Sequence, residues 1–354
     1  MKDRKQIVEL LVGKNTIPKY ILGRTFYSQV AHALLKSAGV NIIAYIDEVN
    51  KADEFDGLPV LINLNDLPSD AIVLIGIANG LPYTVWHRLV EQSITCIDYF
   101  SLIRYGGIGI SIPYWEGFHD SYQKEKDAYK RLHQRFADET SRMIFTKLLD
   151  FRLNYNIEAM EGFKLNIKGE YFEPFLQLNP SGETFCDVGG WNGGTTIEFI
   201  KRCPDYEKVY YFEPEPAQME ESKKILSQYS RIDYCQCAAY DKNDKLRFCS
   251  DGSASMVTDN GSIEVQAERI DDIVNTPVTF IKMDIEGSEA KAIKGAKETI
   301  LKYHPRLAIC VYHRGTDFLD IPRSVFNIRD DYDVYLRHYT EGITETVMFF
   351  IPKK

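Results

Sequence analysis

Two segments of the sequence combine acidic residues with glycines in a way that favours binding a small ligand. Asp187 opens the segment Asp-Val-Gly-Gly-Trp-Asn-Gly-Gly-Thr, in which glycines allow the backbone to approach a ligand closely. Glu213 follows 26 residues later in Tyr-Phe-Glu-Pro-Glu-Pro, and an acid there can accept both hydroxyl hydrogens of a ribose. A dinucleotide would favour Gly-x-Gly-x-x-Gly, whereas an acid in the turn favours a cationic ligand.

A third segment, Asp284-Ile-Glu286-Gly, and a histidine, His313, carry groups that can handle protons. Both carboxylates are expected on the ligand side of a sheet, where one of them orients an acceptor hydroxyl. The imidazole of His313 titrates near neutral pH and can take the proton of that hydroxyl. Structural roles stay open, since Glu286 also suits a helix N-terminus and His313 also suits a packed core.

These residues all follow apolar runs typical of buried parallel strands. From Glu183 the chain alternates strands and helices, and it ends in two strands that form a hairpin. The order predicts an α/β fold with a mostly parallel, doubly wound sheet of seven strands and a terminal antiparallel hairpin. Ligands of such sheets bind beyond the carboxyl ends of the strands, where these residues are expected.

The first part of the chain shows a second βα pattern, from about residue 18 to about 112. We therefore predict a smaller Rossmann-like domain at 1–118, a helical connector at 119–169 and the main domain at 170–354. An apolar stripe along the connector predicts packing between domains or between subunits of a homo-oligomer. Gly23 follows the first strand and Asp47 the second, but bulky Arg24, Phe26 and Tyr27 disfavour a pyrophosphate site. Substrate recognition or subunit docking is the favoured role of this domain.

Composition excludes several other classes of protein. The 354 residues include 42 Lys and Arg against 51 Asp and Glu, a formal charge of −9, without a long basic run, which disfavours nucleic acid. No apolar stretch is long enough for a membrane span and no secretion signal begins the chain, so we expect a soluble, cytoplasmic protein. Seven cysteines without a Cys-x-x-Cys pair predict neither disulfides nor structural zinc. The adjacent Asp271 and Asp272 suit a helix start better than a metal site, and no metal is expected.

From about Glu170 to Pro352 the sequence resembles the FkbM family of class I methyltransferases, in DVGGWNGG, YFEPEP, QCAAYD, ERIDDI and IKMDIEGSEAKAIKGAKETI. The resemblance implies S-adenosylmethionine as cofactor and O-methylation of a hydroxyl on a sugar, glycan or natural-product precursor. The cofactor-binding residues would be these: Asp187, Gly189, Gly190, Gly193, Glu213, Gln236 and Ala238. Asp284, Glu286 and His313 are the catalytic candidates.

Two other functions stay open. The chain could be a non-catalytic protein that binds a glycan or a partner and retains the methyltransferase fold. Alternatively, the first domain could bind NAD or a nucleotide sugar and supply a different activity.

Overall fold

The computed structural model describes residues 3–249, 256–257, 261 and 263–353. The chain divides into two compact units, each built from separate segments. Unit 1 comprises Met1–His119, Phe145–Leu165 and Tyr339–Thr344. Unit 2 comprises Asp120–Ile144, Asn166–His338 and Glu345–Lys354.

The first part of the chain, in unit 1, is a helix followed by alternating strands and helices. Its helices are α1 (Arg4–Val12), α2 (Phe26–Ser37), α3 (Pro82–Glu91) and α4 (Tyr99–Gly106), and its strands are β1 (Lys19–Leu22), β2 (Ala44–Ile46), β3 (Glu54–Phe55), β4 (Leu58–Leu61), β5 (Ile72–Ile75) and β6 (Cys96–Asp98). The sheet has the order β3-β4-β2-β1-β5-β6. Every neighbouring pair is parallel except β3 and β4. Strands β1, β2 and β5 are buried along their length because helices cover parallel sheets on both faces.

The stretch predicted as one helical connector contains three helices, α5 (Phe118–Lys124), α6 (Lys126–Arg135) and α7 (Glu139–Asn154). Helix α6 ends at Arg135, and the next residue, Phe136, is extended and forms an isolated parallel bridge with Val334. The amide of Ala137 donates to the carbonyl of Val334 at 2.8 Å. This backbone pairing replaces helical hydrogen bonds, and so the helix stops there.

The remaining chain, in unit 2, supplies the larger sheet. Its strands are β7 (Thr184–Val188), β8 (Lys208–Phe212), β9 (Ile232–Cys235), β10 (Ala238–Ala239), β11 (Asp244–Cys249), β12 (Met256–Val257), β13 (Ile263–Glu268), β14 (Phe280–Met283), β15 (Arg306–Cys310), β16 (Tyr332–His338) and β17 (Thr346–Pro352). Its helices are α8 (Gly194–Arg202), α9 (Pro216–Ile225), α10 (Ile270–Ile273), α11 (Glu289–Gly295), α12 (Lys297–Tyr303) and α13 (Asp317–Phe326).

Seven of these strands form one sheet in the order β16-β17-β15-β14-β7-β8-β9. The five strands from β15 to β9 run parallel, and β16 and β17 close the sheet as an antiparallel hairpin. The predicted fold class is therefore confirmed. The sequence pattern did not predict the second sheet, which has the order β10-β13-β11-β12. In the described ranges no helix is both long and apolar enough to cross a membrane.

Aromatic packing holds β7 and β14 together under α8. The ring of Phe185 on β7 stacks on Phe199 of α8 at 4.5 Å and on Phe280 of β14 at 5.0 Å between centroids. All three side chains are completely buried. Their burial fixes the register of the two central strands and brings the carboxyl ends of β14 and β7 to the same edge of the sheet.

Candidate active site

Asp187 lies near the carboxyl end of β7 and is completely buried. One carboxylate oxygen, Oδ2, accepts a hydrogen bond from Thr196 Oγ1 at 2.7 Å. The other, Oδ1, lies 3.3 Å from Nζ of Lys282, a buried residue of β14 that sequence reasoning missed. Burial alone would lower the pKa of Lys282, but the carboxylates of Asp187 and Asp284 raise it above its usual value. Lys282 is therefore a buried cation beneath the turn, and it also donates to the carbonyl of Gly189 at 2.5 Å.

The turn after β7 requires glycine for lack of space as well as for its backbone conformation. Gly189 has φ +82°, and a Cβ there would lie 1.9 Å from the carbonyl oxygen of Asp284. A Cβ on Gly190 would lie 2.2 Å from the ring of Tyr211. Gly193 has φ +78° and immediately precedes α8. Gly189 thus allows direct contact between the backbones after β7 and β14.

Glu213 follows β8, and its carboxylate is bound by backbone groups from both sides. The amide of Trp191 donates to its Oε2 at 3.0 Å, and the amide of Glu215 donates to its Oε1 at 2.9 Å. Burial raises the pKa of Glu213 to about 7, although the two amides oppose the shift. Each oxygen keeps a further lone pair that can accept a hydroxyl hydrogen.

Trp191 has an unusual conformation for a bulky residue, with φ +47°. Its carbonyl accepts hydrogen bonds from the hydroxyls of Tyr211 and Ser222, which together with Glu213 hold this backbone in place. The residue as a whole is 45% exposed. Trp191 is thus a surface residue of the turn and not part of the core.

The two residues predicted next to an adenine lie beyond β9. Gln236 is exposed and separates β9 from β10. Ala238 is buried in β10, which pairs with β13 of the smaller sheet. The amide of Glu213 donates to the carbonyl of Cys235, the last residue of β9, at 3.2 Å. Gln236 therefore lies next in the chain to the residue that pairs with Glu213.

The three residues predicted to be catalytic lie together. The Nε2 atom of His313 lies 3.3 Å from Asp284 Oδ1 and 3.5 Å from Glu286 Oε2. Asp284 follows β14 and His313 follows β15, so neighbouring parallel strands deliver them to the same edge. Glu286 has φ +50°, and its side chain is 17% exposed.

Glu289, which sequence reasoning missed, contacts the other side of His313. This first residue of α11 has its Oε1 2.9 Å from Nδ1 of His313, and both side chains are about 1% exposed. The same oxygen accepts the amide of Ile285 at 2.9 Å. Burial would lower the pKa of His313, but Glu289 and Glu286 raise it well above its usual value. The raised pKa favours the imidazolium form, whose two N–H groups leave no free lone pair to take a proton, and the role of His313 as the base stays a prediction.

The pKa values of the two acids next to His313 are shifted in opposite directions. Burial would raise the pKa of Asp284, but Lys282, His313 and the hydroxyl of Tyr171 lower it below its usual range. Burial raises the pKa of Glu286 despite the nearby imidazolium. Asp284 is thus a firmly ionised group, whereas Glu286 is the more basic carboxylate.

Residues before β7 complete the site and lie outside the predicted motifs. The hydroxyl of Tyr171 donates to Asp284 Oδ2 at 2.9 Å. Burial, with Glu345 and Asp284 nearby, raises the pKa of Glu170 to about 10, so it is protonated at neutral pH. A signal for these residues is absent from the linear pattern, because they belong to a segment of irregular structure and short 3₁₀ turns.

Two kinds of charged ligand suit this edge of the sheet. One ligand atom each from Asp284, Glu286 and His313 lie within 4.8 Å of one another, a spacing that a metal ion could use. A metal on His313 would have to replace its Nε2 proton. The site holds more acidic side chains than cations, which also suits a cationic organic ligand. The acids are Asp187, Glu213, Asp284, Glu286 and Glu289, and the cations are Lys282 and His313.

A seven-stranded sheet with a terminal antiparallel hairpin and acids after its central strands is the arrangement of a class I methyltransferase domain. Residues 187–330 match the model of the family described as "Methyltransferase FkbM domain". The FkbM resemblance seen in the sequence is confirmed for this part of the chain.

The comparison with solved structures agrees. A methyltransferase FkbM from Methylobacillus flagellatus KT is similar over 99% of this chain and 94% of its own, with a TM-score of 0.78 and 25% identity. An rRNA methylase from Streptococcus thermophilus is similar over 51% of this chain and 92% of its own, with a TM-score of 0.35 and 13% identity. Among the curated proteins searched, none matches this chain.

Proposed function

We propose that the protein is an S-adenosylmethionine-dependent O-methyltransferase acting on a hydroxyl of a sugar, glycan or natural-product precursor. One observation carries the proposal. Four adjacent parallel strands, β15, β14, β7 and β8, bring His313, Asp284, Asp187 and Glu213 to the same edge of the sheet. The acceptor class rests on the resemblance to the FkbM family.

The residues present fit this cofactor. When bound, S-adenosylmethionine supplies an electrophilic methyl group on a positively charged sulfur. Glu213 would accept the ribose hydroxyls, and Gly189, Gly190 and Gly193 would let the backbone approach the methionine portion. Asp187 supports the turn from beneath through Thr196 and Lys282. Gln236 and Ala238 would border the adenine.

Glu286 is the best candidate for taking the proton of the acceptor hydroxyl. Its carboxylate has a raised pKa, which makes it a stronger base than Asp284. Asp284 is fixed by Tyr171 and stays ionised, so it would orient the hydroxyl by accepting its hydrogen bond. His313, held by Glu289, would keep the two carboxylates in place. Alignment of donor and acceptor supplies much of the acceleration in such a reaction.

Calorimetric titration with S-adenosylmethionine and S-adenosylhomocysteine tests the cofactor. We expect the wild type to bind both, and Glu213→Ala to bind at least tenfold more weakly, since a charged hydrogen bond is worth about 1.5–3 kcal/mol. Glu221→Ala is the control, because it removes an exposed acid of the neighbouring helix α9. Absence of binding by a folded wild type would refute the proposal.

A screen of sugar and glycan hydroxyls by mass spectrometry tests the reaction. We expect Glu286→Gln to lower kcat by about a hundredfold while the affinity for S-adenosylhomocysteine is unchanged. We expect turnover to persist in EDTA, because Glu286 would take the hydroxyl proton without help from a metal ion. Cofactor binding without product from any acceptor would favour the non-catalytic alternative, a binding protein.

A further inference from the structure

The strand order of the sheet in unit 1 reverses at one point, and doubly wound sheets bind ligands in a crevice at such a point. The chain passes from β1 to β2 on one side, and β5 lies on the other side of β1. The strand order therefore reverses between β1 and β5, and ligands of such folds bind beyond the carboxyl ends at that point. The loop after β5, residues 76–81, leads from this crevice into α3.

A distant segment of the chain lies on this loop. The amide of Glu341 donates to the carbonyl of Gly80 at 2.8 Å, and the amide of Ile343 donates to the carbonyl of Ala78 at 3.1 Å. Between them, a Cβ on Gly342 would lie 2.5 Å from the carbonyl oxygen of Ala78 and 2.6 Å from Cα of Asn79. The segment Tyr339–Thr344 thus fits the loop closely, and any larger residue at 342 would push the two apart.

The carboxylate of Glu341 caps the first turn of α3. Its Oε2 accepts the amide of Thr84 at 2.7 Å and its Oε1 accepts the hydroxyl of Thr84 at 2.5 Å. Leu81, the residue before the helix, makes no side-chain cap of its own. Glu341 is only 3% exposed. A buried carboxylate therefore takes the position that an anionic ligand would occupy at a helix N-terminus.

Other polar groups at this point of the sheet also form hydrogen bonds or ion pairs with residues of unit 1. Thr25 and Ser28 form a capping box at the start of α2, and Thr25 Oγ1 donates to the carbonyl of Gly76 at 2.6 Å. Asp47, the acid after β2, lies 2.8 Å from Nε of Arg24. Its other oxygen accepts the amides of Val49 and Asn50. The groups that would bind phosphate and ribose already have partners.

We propose that the segment Tyr339–Thr344 is an intramolecular plug, which closes the crevice of unit 1 to anionic ligands such as nucleoside diphosphates. Glu341 is the anion that the crevice holds, and Gly342 allows the segment to seat. This plug is independent of methyl transfer, and it excludes a working NAD or nucleotide-sugar site in unit 1 as long as it is seated.

Hydrogen exchange of the full chain, followed by mass spectrometry, tests the contact. Gly342→Val should displace the plug by steric overlap, and Glu341→Ala should release Thr84. We expect amides in both 339–344 and 78–84 to exchange at least tenfold faster in each variant. Glu116→Ala, which removes an exposed acid of unit 1, and peptides from β7 should show no change. A rise confined to 339–344, or no rise, would overturn the plug.

Thr84→Val gives a second route if Gly342→Val does not fold, because it removes only a hydroxyl from the same contact. Faster exchange at 339–344 in this variant supports the plug, and unchanged exchange contradicts it.

Addition of ADP as a nucleoside diphosphate probe tests whether the plug closes the crevice. We expect ADP to slow the hydrogen exchange of amides 76–84 in Gly342→Val, or in Glu341→Ala if the valine variant does not fold. In the wild type, ADP should leave the exchange of these amides unchanged. Protection of the wild type would show an open crevice. If ADP protects these amides in neither the wild type nor the variants, the segment Tyr339–Thr344 caps α3 without closing a ligand site. Either result would overturn the proposal.

Discussion

At the scale of single residues, Glu213 predicts a dependence of cofactor binding on pH. Its pKa is raised to about 7, so the carboxylate is mostly protonated at pH 6 and mostly ionised at pH 8. Only the ionised form can accept hydrogen bonds from both ribose hydroxyls. We expect the affinity for S-adenosylhomocysteine to rise about tenfold from pH 6 to pH 8.

Calorimetry at several pH values measures this dependence, and Glu213→Gln is the control. The amide of glutamine does not titrate, so its binding should be weaker and nearly independent of pH. An equally steep dependence in this variant would assign the titration to another group.

Gly189 predicts a large effect of a single methyl group on stability. Gly189→Ala would place Cβ 1.9 Å from the carbonyl oxygen of Asp284, at a φ of +82°. Gly182→Ala is the control, because Gly182 has a similar φ of +79° but nothing within 4 Å of its Cβ position. We expect a loss of about 1 kcal/mol for Gly182→Ala from backbone strain alone. Gly189→Ala should lose at least about 3 kcal/mol in urea unfolding, and equal losses would show that packing at 189 is unimportant.

At the scale of elements, the segment after β14 shows how tertiary contacts divide a helix. The pattern predicts one helix from Ser288 to Tyr303, but α11 ends at Gly295 and α12 begins at Lys297. A Cβ on Gly295 would lie 1.8 Å from the carbonyl oxygen of Tyr240, the residue after β10. The backbone after β10 thus packs directly against the helix at Gly295. The first turn of α12 then needs a cap from elsewhere.

Asp271 supplies that cap, and its removal should destabilise the protein. Its two oxygens accept the amides of Glu298 at 3.0 Å and Thr299 at 2.8 Å. Asp271→Ala should cost about 1–2 kcal/mol, the usual value of a helix cap. Asp272→Ala is the control, since Asp272 is 41% exposed in its side chain and should cost less than about 0.5 kcal/mol. Equal losses in chemical denaturation would contradict the cap.

Much of the larger sheet could be predicted because each parallel strand leaves a local signal. Buried runs such as that ending at Asp284 and glycine turns such as that after Asp187 can be recognised without tertiary information. Lys282, Tyr171 and Glu289 could not be predicted as site residues in this way. In the sequence, Lys282 is a single polar residue within an apolar strand. Its role depends on its pairing with Asp187 on the neighbouring strand β7, which the sequence does not show. Glu289 reads as an ordinary helix-start acid until β15 brings His313 next to it.

At the scale of the whole molecule, linear order predicts only part of the organisation. The division of the chain into consecutive domains with boundaries at 118 and 169 stays a prediction. The compact units combine three segments each, and Tyr339–Thr344 joins unit 1 although its flanking strands lie in unit 2. Contacts such as that between Glu341 and Thr84, which are 257 positions apart, leave no local pattern.

Ligand-dependent stability of the full chain separates the candidate functions. A ligand that binds only the folded protein stabilises it by about 2.7 kcal/mol at a hundredfold excess over Kd. S-adenosylhomocysteine should therefore raise the midpoint of thermal unfolding, whereas NADH and UDP-glucose should not, because the acid and helix N-termini of the unit 1 crevice already have partners. Glu213→Gln should lose most of the shift while keeping the unliganded midpoint within a few degrees. A shift with NADH or UDP-glucose that persists in Glu213→Gln would assign the ligand to unit 1 and contradict a plugged crevice.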